Sequence, residues 1–498
     1  MHPTFFNPVG HRPRVRGAWW FVLGLATAPL FAPAANAAPI ETDAEPAAAP
    51  AGFSEASTAE APPPADDASP APRPRRFGRL RFDLPALDVR ENLVIGFWPS
   101  MAQSLALSKD AYYLVHGALL AIPMPDSWSP TVQSIVEAGV LVLVDSYLSY
   151  FPPAEGWMHE EWHRAAMSRR GISSYNDIYN FDIGAAFINV SHVRDEDLVR
   201  LKREYPAEQV RLSAAGIEGD LMLGLEFDKD RFFLGTRAGT VVTQWLTTAN
   251  AILYMYTAAF GSDGPTEDAN RKEGSNVEVR DFTGLDPDGW VYDLFRPDEP
   301  YEARGIHPSG VGIDRYRSES DFTPRERNYL RTQAHLSLLN LVDPQLIGFN
   351  AFELGSVGGL PLSFNANLQH LMAPFGYALG LNLFGKAGPY NAFAELRAFV
   401  SDSLVLPGLG LELVRYPLPW LGAKLTPRAR LWLQPKDQRF FAGSAAPGAA
   451  LELRANVPLY EPLEFYLEAS AKTPGWIPGN VFLDESVNLR LGFEAVVF

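Results

Sequence analysis

From about Gln345 to Phe498, apolar residues return at every second position. Leu451, Leu453, Ala455 and Val457 alternate with Glu452, Arg454 and Asn456. Leu463, Phe465, Leu467, Ala469 and Ala471 alternate with Glu464, Tyr466, Glu468, Ser470 and Lys472. Val487, Leu489, Leu491, Phe493, Ala495 and Val497 alternate with Asn488, Arg490, Gly492 and Glu494. Leu379–Leu383, Ala392–Val400, Leu409–Leu413 and Ala429–Leu433 follow the same pattern. A period of two places the apolar set on one face of a pleated strand and the charges on the other. With Gly, Pro and Asp between the runs, residues 345–498 are expected to form an antiparallel barrel of about eight to ten strands.

Parity alone does not say which face is wet. A soluble barrel or sandwich buries its apolar face, whereas a membrane barrel turns that face to lipid and keeps its charges in the lumen. Strands of about ten residues are long enough to cross a bilayer at a tilt. Tyr416, Trp420, Tyr460 and Trp476 cluster near strand ends, where an interfacial girdle belongs. Phe498, directly after the last strand, resembles the C-terminal assembly signal of bacterial outer-membrane barrels. On the membrane reading, Glu452, Arg454, Glu468, Lys472, Arg490 and Glu494 form an internal ion-pair network.

The N-terminus supports export. Arg12, Arg14 and Arg16 form a basic region, Trp19 to Pro33 an apolar one, and Ala35-Asn36-Ala37 a small-x-small cleavage site. Residues 1–37 therefore read as a secretory signal peptide. Residues 38–80 are rich in Ala and Pro and read as a disordered tether. The chain has no Cys, which excludes disulfides, thiolate metal sites and Cys nucleophiles. Export without Cys suits a Gram-negative envelope. A net charge of -16 argues against a nucleic-acid partner. A mean hydropathy of -0.07 is too polar for a bundle of membrane helices.

Residues 85–343 carry helical signals, which makes the whole chain α+β. Val132–Tyr150 reads as a core helix stopped by Pro152-Pro153, and Ala154–Arg170 as the next helix. Asp195–Glu204, Glu208–Phe227 and the uncharged Thr240–Phe260 follow. Residues 261–320 read as a long polar segment covering a cleft. Thr323-Pro324-Arg325-Glu326 is a capping box that opens a further helix.

The helix at 154–170 contains His159-Glu160-Glu161-Trp162-His163. Positions i and i+4 share a helix face, so His159 and His163 can hold one Zn²⁺. Glu160 then stands beside the metal, where it can take a proton from a water that Zn²⁺ has made acidic. This H-E-x-x-H stretch resembles the zincin metallopeptidases, on the strength of His159, Glu160 and His163. The resemblance covers one helix and implies a third protein ligand. The metzincin continuation is absent, because Arg164, Ala165 and Ala166 follow His163. Gluzincins use a Glu from a later helix, and Glu218 in Ala214-Ala215-Gly216-Ile217-Glu218-Gly219-Asp220 is the best candidate. The small residues around it would let two helices approach closely. Asp220 could orient a ligating His, and His192 is the rival ligand. Tyr175 and Tyr179 could donate to an oxyanion or simply pack. His116, His307 and His335 are isolated and receive no role.

These signals support an exported zinc metallopeptidase acting on peptide or protein in the cell envelope. Its helical domain would face the periplasm or the surface, held by a barrel in outer-membrane lipid. Two alternatives remain at this stage. One is a non-catalytic outer-membrane barrel with a helical periplasmic scaffold. The other is a metal-dependent lipid or peptidoglycan hydrolase.

Overall fold

The computed structural model describes residues 80–90, 94–95, 99–181, 188–236 and 239–497. The expected signal peptide, nearly all of the tether and Phe498 lie outside the described residues. The chain runs through β1 (Leu80–Arg90), β2 (Val94–Ile95), α1 (Met101–Leu120), α2 (Pro130–Leu148) and α3 (Glu155–Ser168). A two-stranded ribbon, β3 (Tyr175–Asn176) and β4 (Val190–Ser191), precedes α4 (Asp195–Glu204) and α5 (Pro206–Lys229). Then come α6 (Gly239–Gly261), α7 (Asp263–Glu273), α8 (Asp286–Phe295) and α9 (Pro324–Leu336). The C-terminal part holds β5 (Phe352–Val357), β6 (Leu360–Ala373), β7 (Gly376–Ala387), β8 (Tyr390–Val400) and β9 (Val405–Val414). It ends with β10 (Tyr416–Leu418), β11 (Ala423–Pro435), β12 (Ala445–Tyr460), β13 (Leu463–Lys472) and β14 (Ser486–Val497). The α+β class holds, and the capping box at Thr323 opens α9 as its sequence dictates.

The strands form one twelve-stranded antiparallel sheet, ordered β2-β1-β14-β13-β12-β11-β9-β8-β7-β6-β5, with β10 on β11. Two expectations change here. First, the sheet is not closed as a barrel: among the described residues no pairing joins β5 to β1 or β2. The physical reason is that helices fill its inner side. Lys229 at the end of α5 pairs with Glu412 at 3.0 Å, and Asn367 donates to Asp228 at 2.7 Å. α1 packs along β1, with Lys109 3.0 Å from Asp230. Second, residues 80–90 belong neither to a tether nor to a helical domain. They pair with β14 from Leu80↔Val497 to Val89↔Leu489, so the sheet joins the first and the last of the described residues.

The sheet is nevertheless strongly curled. β9 and β14 stand four positions apart, close to 19 Å in a flat sheet with a strand spacing of about 4.8 Å. Arg415, just after β9, still forms an ion pair with Glu494 of β14. The polar faces converge inside this curl. Arg428 bridges Glu412 and Glu452 at 2.8 and 2.7 Å, and Arg454 reaches Asp83 at 2.8 Å. Arg454 also pairs with Glu494, and Arg490 with Glu468. Lys472 departs from the expected network, since it donates to the carbonyls of Thr473, Gly475 and Asp484. The apolar face points outward: Leu451 and Val487 are each 67% exposed, and Leu431 is 60% exposed.

Candidate metal centre

Helix α3 buries Trp157, Met158, Trp162 and Ala165 against the core. Its other face carries His159 and His163 toward α5, where the small residues of Ala214-Ala215-Gly216 admit a close crossing. Gly216 is the contact point. A Cβ there would lie 2.3 Å from Nε2 of His159 and 2.4 Å from Nε2 of His163. The third member comes from the start of α8, inside the segment read from sequence as a loop. Asp286 Oδ2 stands 3.1 Å from each of the two Nε2 atoms.

The outer ring nitrogens fix the chemistry of the inner ones. His163 Nδ1 lies 2.7 Å from the carbonyl of Leu212, an acceptor only, so Nδ1 carries the proton. His159 Nδ1 likewise faces Asp220 Oδ2 at 2.8 Å. In their neutral forms both imidazoles then point an Nε2 lone pair at one carboxylate oxygen. Three acceptors converging within 4.8 Å repel one another unless a cation lies among them. Two imidazoles and one carboxylate are a donor set for a transition metal, with a coordination position left open. The chemistry of the group therefore fits a metal.

Without a metal, the His159 ring holds its proton more tightly than an ordinary histidine does. Burial works against an imidazolium, yet Asp220 and Asp286 lift the His159 pKa well above the ordinary histidine value. A ligating histidine must be neutral, so metal has to displace that proton. Metal affinity should therefore rise with pH through neutrality, with release of at least one proton per ion. Titration calorimetry in buffers of different ionisation enthalpy reads that number. Asp220→Asn, which removes the carboxylate holding the proton, should lower it.

Glu160 is buried beside the group. Its burial, then the carboxylates of Asp281, Asp286 and Asp220, raise its pKa well above the usual carboxylate range, with His159 opposing. Asp281, pushed up to about 6 by burial and by Asp286, accepts the backbone N–H groups of Val190 and Gly284 and so anchors the loop leading into α8. Tyr254 of α6 accepts the backbone N–H of Asp286 at 3.0 Å, with its ring 6.3 Å from that of His159. Burial raises its phenol pKa well above the ordinary value, so it stays a protonated donor.

The structure unites His159, Glu160 and His163 with Asp220 as partner of His159. It does not place Glu218 there. Glu218 accepts two bonds from Arg211 at 2.6 and 3.1 Å, one from Trp476 Nε1 at 3.2 Å and one from Gly479 N at 2.8 Å. The reason is helical geometry. Two residues along a helix turn through about 200°, so Glu218 faces away from the side on which Gly216 meets the histidines. Asp220, four residues from Gly216, returns to it. His192 also stands outside the group, with Nδ1 2.9 Å from Ser191 and its ring against Tyr175. Tyr179 accepts from Trp157 Nε1 at 2.7 Å. His116, His307 and His335 each have partners elsewhere, in Asp145, Ser309 and Tyr256.

Sequence reasoning missed Asp286 and Tyr254. The only sequence signal for Asp286 was Pro287 directly after it, a first-turn mark of a helix. No family model, curated protein or solved structure matches this chain.

Proposed function

We propose that this protein is a zinc-dependent peptide hydrolase of the cell envelope, seated in the outer membrane by the apolar face of its sheet. The observation that carries the hydrolase reading is the convergence of His159, His163 and Asp286, with both Nδ1 atoms pinned and Glu160 alongside. The outward apolar face and inward ion pairs of the strands support the membrane seat.

When bound, Zn²⁺ supplies Lewis acidity that acidifies water and polarises a carbonyl. The chain's own residues do the rest. Glu160 accepts a proton from the attacking water as its oxygen bonds to the peptide carbonyl carbon. The same carboxyl passes that proton to the amine nitrogen as the C–N bond breaks, so the proton count closes. Tyr254 donates its O–H to the carbonyl oxygen as negative charge develops there. Asp220 and the Leu212 carbonyl hold the two rings in the ligating tautomer.

The test compares the purified protein with its Glu160→Gln variant on a fluorogenic peptide. The variant should keep its zinc stoichiometry and lose about 10²–10⁴-fold in turnover. Equal zinc with unchanged turnover would remove Glu160 from the chemistry.

A further inference from the structure

Helix α2 is apolar along nearly its whole length, yet only Leu141 and Asp145 are buried. Its outward face shows Val132, Ile135, Val140, Leu143 and Tyr147, with Leu143 60% exposed. Asp145 falls on the opposite side of the wheel, and Glu137, half-buried, stands at the edge of the apolar face, one turn before Val140. The length also fits a bilayer. Nineteen residues rise about 28 Å, close to the roughly 30 Å of a hydrocarbon core. Exposed Trp128 stands just before the helix and Tyr147 in its last turn, at the two levels where aromatic side chains meet lipid headgroups. The outward face of the sheet makes the same demand, which favours lipid over a protein partner.

The C-terminal end of α2 lies against the first turn of α3, one turn before His159: a Cβ on Gly156 would stand 2.4 Å from the carbonyl oxygen of Ser149. Asp145 accepts from Thr243 at 2.8 Å and lies 2.8 Å from His116 Nε2, which ties α2 to α6 and α1. Further along α6, Asn250 donates to Glu155 at 3.3 Å and Tyr254 meets Asp286. His159 is the least enclosed of the three, its side chain 14% exposed against 1% for His163 and 4% for Asp286.

We propose that α2 sits in the hydrocarbon of the bilayer, its C-terminal end one turn of α3 from His159, so that the substrates are polypeptides held in the same membrane. The substrate class rests on the hydrolase reading above; the placement of α2 does not.

The cysteine-free chain allows a direct test. Leu143→Cys in the full-length protein takes a single environment-sensitive fluorophore, and Ser275→Cys, on an exposed turn, serves as control. In phosphatidylcholine vesicles the label at 143 should shift to the blue and be quenched by lipids brominated deep in the acyl chain, and the label at 275 should not. In the same vesicles, a fluorogenic peptide bearing an N-terminal palmitoyl chain should be cleaved about tenfold faster or more than the free peptide, through its raised local concentration. Leu143→Glu should lose that preference while still cleaving the free peptide. An unquenched label at 143 overturns the placement of α2, and equal rates for the two peptides overturn the substrate class. If the zinc-loaded protein cleaves neither peptide, the hydrolase reading falls with the substrate class, while the quenching result still decides α2.

Discussion

Gly216→Ala should leave the protein folded and stop it from holding metal. The added Cβ would stand 2.3 Å from His159 Nε2 and 2.4 Å from His163 Nε2, far inside any normal contact between carbon and nitrogen. Neither ring can slide aside, because Asp220 and the Leu212 carbonyl hold the Nδ1 atoms. Either α3 and α5 separate or an imidazole turns out of the group, and both break the convergence on Asp286. Overpacking of this kind costs about 1–3 kcal/mol. Alanine regains about 1 kcal/mol as the better helix former, which leaves a net loss of at most about 2 kcal/mol. Metal affinity should fall by at least about 100-fold, more than the loss of an outer partner typically brings. Gly139→Ala in α2 is the matched control, since a Cβ there meets nothing within 4 Å. It carries the same helix gain and should bind metal normally. Undiminished affinity in Gly216→Ala would mean that the two histidines do not act together.

Much of this centre is visible in the sequence, for a reason that also marks its limit. His159, Glu160 and His163 lie within five consecutive residues, so one helix fixes their relation and periodicity reveals it. Asp220 follows from the same rule once Gly216 is taken as the contact point. Asp286 sits 123 residues from His163, and only tertiary packing brings it in. Its segment is rich in Asp, Gly and Pro, a composition that marks loops, while α8 gains its helicity from burying Trp290, Val291 and Leu294. The strands behave alike. Those of residues 423–497 declare themselves by strict alternation. β1 does not, because Pro85 and a register shift between Leu84 and Leu87 interrupt its pattern. Closure was never legible. It depends on what fills the inner side of the sheet, and α5 does so through single contacts such as Lys229 with Glu412.

Glu218→Ala tests the opposite face of α5 and separates a metal ligand from a latch. The Glu218 carboxylate is fully enclosed, and its four donors come from Arg211, Trp476 and Gly479. Trp476 and Gly479 belong to the loop between β13 and β14, so this carboxylate ties that loop of the sheet to the helix that faces the histidines. Removing it leaves the Arg211 guanidinium buried without its counter-charge, which costs about 3–5 kcal/mol. Replacing both partners costs much less, because two buried charges vanish together. Denaturant unfolding in detergent should therefore show Glu218→Ala strongly destabilised and Glu218→Ala/Arg211→Met restored toward the parent. The double variant isolates the coupling between the two groups. At denaturant concentrations where Glu218→Ala is still folded, it should bind one metal ion per chain with an affinity near that of the parent. A ligand behaves in the reverse way: its loss drains the metal while the apo fold keeps its stability. The two outcomes differ in sign on both axes, so one pair of variants decides whether α5 serves the centre through Gly216 and Asp220 or through Glu218.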